Sequence, residues 1–98
     1  MREAEIERRL VKAVEKRGGL CYKFVSPANP GVPDRVIILP GGQVLWVELK
    51  TEIGHLAAIQ RWQIQRMRER GADVRVVKGL DAVHNLLKEI DTHGVQTS

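Results

Sequence analysis

The sequence predicts an α/β fold, with a small mixed β-sheet of about four strands and flanking helices in the order αβββαβα. Two short apolar segments are joined by the turn Pro40-Gly41-Gly42, which is typical of a β-hairpin. Both segments carry apolar residues on both faces, and strands of this kind are usually covered by helices on each side. Amphipathic segments with helical spacing precede and follow the hairpin. Together these features favour a layered α/β domain over an exposed β-meander.

The composition describes one ordinary globular domain. With 98 residues, of which 43% are hydrophobic and 29% charged, we expect a single domain over residues 1–98. No apolar run reaches the length of a membrane span, and the N-terminal sequence lacks the apolar core of a signal peptide, so we expect a cytoplasmic protein without membrane association. The one cysteine excludes an internal disulfide, and the net charge of +4 suits a polyanionic partner.

The elements before the hairpin are a helix, a strand and a loop. We predict an amphipathic helix over residues 2–17, ended by Gly18-Gly19. The apolar positions at helical spacing are Ile6, Leu10, Val11 and Val14. A strand is predicted over residues 20–25, and the composition of residues 26–31, rich in proline and glycine, predicts a loop.

The hairpin and the elements after it complete the predicted order. The segments are strands at 36–39 and 43–47, a helix at 56–70, a strand at 72–77 and a helix at 81–90. Residues 92–98 are expected to form a flexible tail.

The length of the hairpin loop decides which side chains meet at the end of the hairpin. With a three-residue loop Leu39 pairs with Gln43, which sets Asp34 opposite Glu48 on one face of the sheet. Lys50 lies two residues beyond Glu48 and therefore shares that face. A two-residue loop would shift the register by one residue and send Asp34 to the other face.

Two carboxylates at the end of a buried hairpin need a compensating charge, because they repel each other and are costly to bury alone. Mg²⁺ or Mn²⁺ would provide it, since such ions bind one or two carboxylates together with waters and phosphate oxygens. Lys50 beside the metal would orient or deprotonate an attacking water, or stabilise charge that develops on phosphorus. An ordinary ion pair of Lys50 with Asp34 or Glu48 is the alternative, and spacing alone does not decide between the two.

The order of several motifs resembles that of a known family. Pro33-Asp34, followed on the next strand by Glu48-x-Lys50, is similar to the P-D…(D/E)-x-K signature of restriction-endonuclease-like nucleases. The fuller pattern resembles the VRR-NUC family over residues 3–77. Its parts are a glutamate-bearing first helix, Arg-Gly-Gly before a strand, Gly-Val-Pro-Asp-Arg at 31–35, Glu-Leu-Lys at 48–50, and Gln60 on the next helix.

The resemblance implies a restriction-endonuclease-like core and a metal-dependent DNA endonuclease. The metal ligands that it implies are Asp34, Glu48, the backbone carbonyl of Leu49 and a glutamate of the first helix. For that glutamate we choose Glu5, which lies next to the buried stripe, while Glu3 and Glu7 remain open. The implied catalytic residues are Lys50 and Gln60, acting on the attacking water beside Asp34 and Glu48.

Short members of this family resemble phage or bacterial nucleases that form homodimers and cut branched DNA, such as four-way (Holliday) junctions. The alternative function is a basic module that binds nucleic acid without cutting it, which the net charge and the arginines of the helix at 56–70 would serve equally well. For Trp46 and Trp62 we predict core packing rather than stacking on bases. The last helix and Trp62 are candidates for the dimer surface.

Overall fold

The computed structural model describes residues 1–93, which form three helices and four strands in the predicted order αβββαβα. In chain order they are α1 (Glu3–Lys16), β1 (Leu20–Lys23), β2 (Arg35–Ile38), β3 (Val44–Lys50), α2 (Ala58–Glu69), β4 (Val74–Lys78) and α3 (Gly79–His93). Over these residues, no helix has both the length and the apolar character that a transmembrane span requires. The predicted fold class is confirmed.

The four strands form one mixed sheet in the order β1-β2-β3-β4. The pairs β1–β2 and β2–β3 are antiparallel, whereas β3 and β4 are parallel and are connected through α2. In the hairpin Ile38 faces Val44, and the Leu39 amide donates a hydrogen bond to the Gln43 carbonyl (2.8 Å). The loop is therefore three residues long, and the register predicted for that loop length is the one present.

The hydrophobic core lies between one face of the sheet and the helices α1 and α3. The alternating residues Leu45, Val47 and Leu49 of β3 are almost completely buried on this face. The α1 side chains that pack into the core are Ile6, Leu10 and Val14, as predicted. An ion pair between Arg17 and Asp91 (2.7 Å) joins the end of α1 to the end of α3.

The opposite face of the sheet is covered only in part, by α2. On this face Leu20, Tyr22 and Val44 are 41% to 54% exposed. The prediction that helices cover both faces is therefore wrong for the region of β1 and the hairpin. The apolar pattern identifies which positions avoid water, but it does not reveal whether one helix is long enough to shield four strands.

The last helix is longer than predicted. Helix α3 begins at Gly79 and continues to His93, although the sequence pattern predicts residues 81–90. The first part of the predicted tail at 92–98 thus belongs to this helix, and residues 94–98 lie outside the described residues.

Candidate active site

The predicted site residues meet where the start of β2 lies beside the end of β3. Arg35 pairs with Val47, so that Asp34, which directly precedes β2, is set against Glu48. The first turn of α2 approaches the same place, since Gln60 contacts Glu48. Four predicted residues are thus brought to one end of the sheet: Asp34, Glu48, Lys50 and Gln60.

Glu48 is the most deeply buried charged residue of this group, with 4% of its surface exposed. Burial, together with the negative charge of Asp34, raises the pKa of Glu48 from 4.5 to about 7, although Lys50 acts in the opposite direction. The Lys50 ammonium nitrogen lies 3.8 Å from Glu48 Oε2, and Gln60 Nε2 donates a hydrogen bond to the same oxygen (3.1 Å). Near neutral pH this carboxyl is therefore poised between its two protonation states.

Gln60 is held at both ends of its amide group. Its Oε1 accepts a hydrogen bond from the backbone amide of Ala57 (2.9 Å), the residue before α2, while its Nε2 donates to Glu48. A glutamine at this position of a helix commonly reaches back to the helix start, so the sequence alone gives no sign of a second contact. The double anchorage directs the donor end of Gln60 into the site.

Asp34 carries a buried oxygen that lacks a hydrogen-bond partner. Its Oδ1 is shielded from solvent and accepts no hydrogen bond from the described residues. Burial, and next the charge of Glu7, raise the pKa of Asp34, whereas Lys23 lowers it. Buried polar atoms in folded proteins almost always have partners, so an orphaned carboxylate oxygen beside a second carboxylate is an arrangement that a bound cation would satisfy.

The donor set fits a hard divalent cation of the Mg²⁺ type. Within residues 1–93, no group of three or more His, Cys, Asp or Glu side chains is arranged to hold a metal ion. Sites for Mg²⁺ typically use one or two carboxylates and complete the coordination with waters and substrate phosphates. Asp34 and Glu48 meet that requirement. The Leu49 side chain points into the core, so its predicted contribution would come from the backbone carbonyl.

The charges of two other glutamates of the first helix, not that of Glu5, act on the carboxylates of the site. The charge of Glu3 raises the pKa of Glu48, and that of Glu7 raises the pKa of Asp34. Glu3 and Glu7 are about one helical turn apart, whereas Glu5 is rotated roughly 200° from each of them. The side of α1 that carries Glu3 and Glu7 thus influences the site electrostatically, and the choice of Glu5 as a metal ligand stays a prediction.

Glu7 also forms a contact that fixes the start of β2. Its Oε2 accepts a hydrogen bond from Arg35 Nε at 2.8 Å, in a partly buried ion pair. Arg35 points to the face opposite Asp34, as the period of a strand requires. Glu7 is thus engaged by an arginine, and within residues 1–93 no third acidic side chain is arranged with Asp34 and Glu48 to hold a metal ion.

The loop that leads to Asp34 is docked on α2. Gly31 has φ of +89°, and a Cβ atom at this position would lie 2.6 Å from the Ile59 carbonyl oxygen. Next to it, the buried Gln63 donates a hydrogen bond from Nε2 to the Pro30 carbonyl (3.2 Å). The sequence analysis missed Gln63, since nothing in the helical pattern separates it from a surface glutamine. This docking ties the position of Asp34 to that of Gln60.

Comparison with known proteins identifies the fold family. A solved structure described as "VRR_NUC domain" superposes with a TM-score of 0.81 and 32% sequence identity, covering 93% of this chain and 96% of that chain. This chain belongs to the VRR-NUC family. A second structure, described as "VRR_NUC domain protein", has a TM-score of 0.71 at 17% identity over 93% of this chain and 89% of that chain, and it supports the VRR-NUC fold.

A curated relative comes from a phage. The protein called "Putative nuclease p44", of Acyrthosiphon pisum secondary endosymbiont phage 1, is 54% identical over 50 residues, which are 51% of this chain and 54% of that protein. The match thus spans about half the length of the curated relative. No family model matches the sequence. The resemblance to VRR-NUC proteins and the restriction-endonuclease-like core predicted from the sequence are both confirmed.

Proposed function

We propose that this VRR-NUC domain is a divalent-metal-dependent DNA endonuclease that hydrolyses phosphodiester bonds. The observation that carries the proposal is the carboxylate pair formed by the buried Glu48 and the half-buried Asp34. Lys50 and Gln60 both contact Glu48. A solvated ion pair would explain Lys50 alone. It would not explain why a second carboxylate, with an oxygen lacking a partner among the described residues, is set against the first.

In this proposal each group of the site has a distinct task. Asp34, Glu48 and the Leu49 carbonyl would hold Mg²⁺ or Mn²⁺, and Glu5, with Glu3 and Glu7 as the alternatives, would be the supporting acid of α1. When bound, the metal supplies Lewis-acid stabilisation of the negative charge that develops on the phosphoryl and leaving oxygens. The remaining steps fall to the side chains of this chain.

Lys50 and Gln60 would act on the attacking water and the phosphate. The Lys50 ammonium group, held near Glu48, donates hydrogen bonds to a water or to a nonbridging phosphate oxygen. Gln60 contributes a second donor, whose direction is set by its bond to the Ala57 amide. Since both donors are in place before substrate arrives, little reorganisation is needed during the reaction.

The proposed substrate is branched DNA, such as a four-way (Holliday) junction, cut by a homodimer in the cytoplasm of a phage-infected bacterial cell. A two-fold symmetric dimer would present two equivalent sites to a junction that has two-fold symmetry itself. The net charge of +4 supports attraction to DNA, and the phage relative supports the setting.

The decisive experiment compares cleavage by the wild type and Lys50→Ala. Labelled four-way junction, linear duplex and single strand are each incubated with Mg²⁺, Mn²⁺ or EDTA. We expect metal-dependent cutting that Lys50→Ala slows by roughly 100-fold or more, which is the usual cost of removing one positioned donor that stabilises charge in the transition state. Lys88→Ala removes an exposed lysine of α3 and serves as the matched control.

Each outcome has a separate meaning. Equal cleavage by the wild type and Lys50→Ala would refute the assigned mechanism, once a contaminating nuclease is excluded. Binding without cutting in any metal would favour the alternative, a non-catalytic nucleic-acid-binding module. Cutting of linear substrates alone would retain the chemistry and reject the preference for junctions.

A further inference from the structure

One flank of α2 exposes an apolar and cationic stripe, which consists of Ile59, Trp62 and Arg66. These residues recur at i, i+3 and i+7, so they lie along one side of the helix. Trp62 is 50% exposed and Ile59 is 43% exposed. The Arg66 guanidinium carbon lies 4.5 Å from the centre of the Trp62 ring. The prediction of core packing is therefore wrong for Trp62, whereas Trp46 packs edge-on against Phe24 with 4.9 Å between ring centres.

The stripe borders the loop that leads to the candidate active site. Trp62 follows Gln60 by two residues, which corresponds to roughly 3 Å along the helix axis and roughly 200° around it, so the indole points away from the side of α2 that carries Gln60. Ile59 abuts Gly31, and the neighbouring Gln63 holds the Pro30 carbonyl, so this flank of α2 faces the loop that leads to Asp34. The stripe is therefore connected to the candidate site through the loop that carries Asp34.

The charge of α2 indicates what kind of molecule the stripe contacts. The helix Ala58–Glu69 contains three arginines and one acidic residue, and its first turn contains no acid. A basic surface with an exposed indole suits a polyanion that also presents flat aromatic groups. Single-stranded nucleic acid combines these features, whereas the bases of an intact duplex are stacked on each other and have no free faces.

We propose that Trp62 and Arg66 form a stacking platform for an unpaired base of the substrate. The base stacks on the indole, and Arg66, already placed at the ring, binds the adjacent backbone phosphate. The platform deepens the proposed nuclease function, because it selects substrates that carry unpaired nucleotides. The platform proposal rests on the proposed nuclease function only in taking nucleic acid as the substrate.

Binding measured without cleavage tests the platform. Fluorescence anisotropy in EDTA compares a labelled single strand, a duplex with a single-stranded overhang and a blunt duplex of the same sequence. We expect Trp62→Ala to weaken binding of the first two by roughly 10-fold or more and that of the blunt duplex by less than about twofold. Trp62→Phe keeps an aromatic face and should stay within about threefold of the wild type.

Two further variants separate the platform from general effects. Tyr22→Ala removes another exposed aromatic residue, on β1 and away from α2, and should leave binding of all three DNAs unchanged. For the single strand, Arg66→Gln should reduce the slope of log affinity against log salt concentration by roughly 1, which corresponds to the loss of one phosphate contact. Thermal unfolding by circular dichroism establishes that each variant is folded.

Several results would overturn the proposal. Unchanged single-strand binding by Trp62→Ala would do so, and so would equal losses on the blunt duplex, which would assign the stripe to the duplex backbone. A change from dimer to monomer on Trp62→Ala, measured by light scattering, would assign the stripe to an interface between copies. If DNA binding depends on Trp62 but no metal supports cleavage, the platform stands and the proposed nuclease function fails.

Discussion

Replacing Glu48 with glutamine is expected to stabilise the metal-free protein at alkaline pH and to abolish cleavage. Burial and the charge of Asp34 raise the pKa of Glu48 from 4.5 to about 7 in the folded protein. Because the folded pKa exceeds the unfolded one, the stability that the protonated carboxyl contributes is complete below pH 4.5 and is lost as the pH rises through 7. A shift of this size corresponds to roughly 3 kcal/mol of unfolding free energy above pH 8.

The substitution removes the charge with little change in shape. The new amide oxygen can still accept the hydrogen bond from Gln60, and the contact with Lys50, at 3.8 Å, is long for an ion pair. At pH 8.5 we therefore expect Glu48→Gln to raise the free energy of unfolding by about 3 kcal/mol, or the melting temperature by on the order of 15 °C. At pH 4.5 the two proteins should be equally stable.

Urea unfolding in EDTA at several pH values provides the measurement. Glu69→Gln, at an exposed carboxylate of α2, is the control and should show no comparable dependence on pH. Adding Mg²⁺ should then stabilise the wild type but not Glu48→Gln, because a ligand stabilises only the protein that binds it. The reasoning would be refuted if Glu48→Gln were no more stable than the wild type at pH 8.5. It would also be refuted if the substitution raised the free energy of unfolding by the same amount at every pH.

Two further predictions concern the loop before Asp34 and the buried thiol. Gly31→Ala should destabilise the protein by at least about 2 kcal/mol more than Gly41→Ala. Both glycines have positive φ, but a Cβ at position 31 would clash with Ile59, and one at 41 would meet nothing within 4 Å; equal losses in urea unfolding would argue against a close approach. Because burial raises the pKa of Cys21 to about 11, its reaction with a disulfide reagent at pH 8 should be roughly 100-fold slower than in the urea-unfolded protein, and equal rates would contradict this.

The hairpin and its paired carboxylates could be predicted from the sequence because their geometry is local. Once the loop is three residues long, the period of two in each strand sets Asp34 opposite Glu48 and adds Lys50 to the same face. The choice between a two-residue and a three-residue loop was the single open point. Turn geometry within about a dozen residues thus determines most of the candidate site.

Contacts between distant elements could not be predicted in this way. The choice of Glu5 depended on which side of α1 meets the site, and that is set by how the helix docks on the sheet. Trp62 was expected in the core because an indole is large and apolar, yet α2 is placed so that its other side, with Ile64, is buried. A helical pattern reveals a buried stripe, but near the edges of that stripe it does not distinguish core from surface.

The same docking contacts connect the stability of the fold to the chemistry proposed for it. The Gly31 contact with Ile59 and the Gln63 bond to Pro30 hold the Asp34 loop against α2, while Gln60 of that helix holds Glu48. The two carboxylates therefore cannot move apart to relieve their repulsion without disrupting this packing. In the metal-free protein, protonation relieves both the burial of the Glu48 charge and its repulsion by Asp34, which is why the pKa of Glu48 rises to about 7. On the proposed function a divalent cation competes with that proton, so metal affinity should fall as the pH drops below 7, and the repulsion that destabilises the free protein becomes part of what binds the metal.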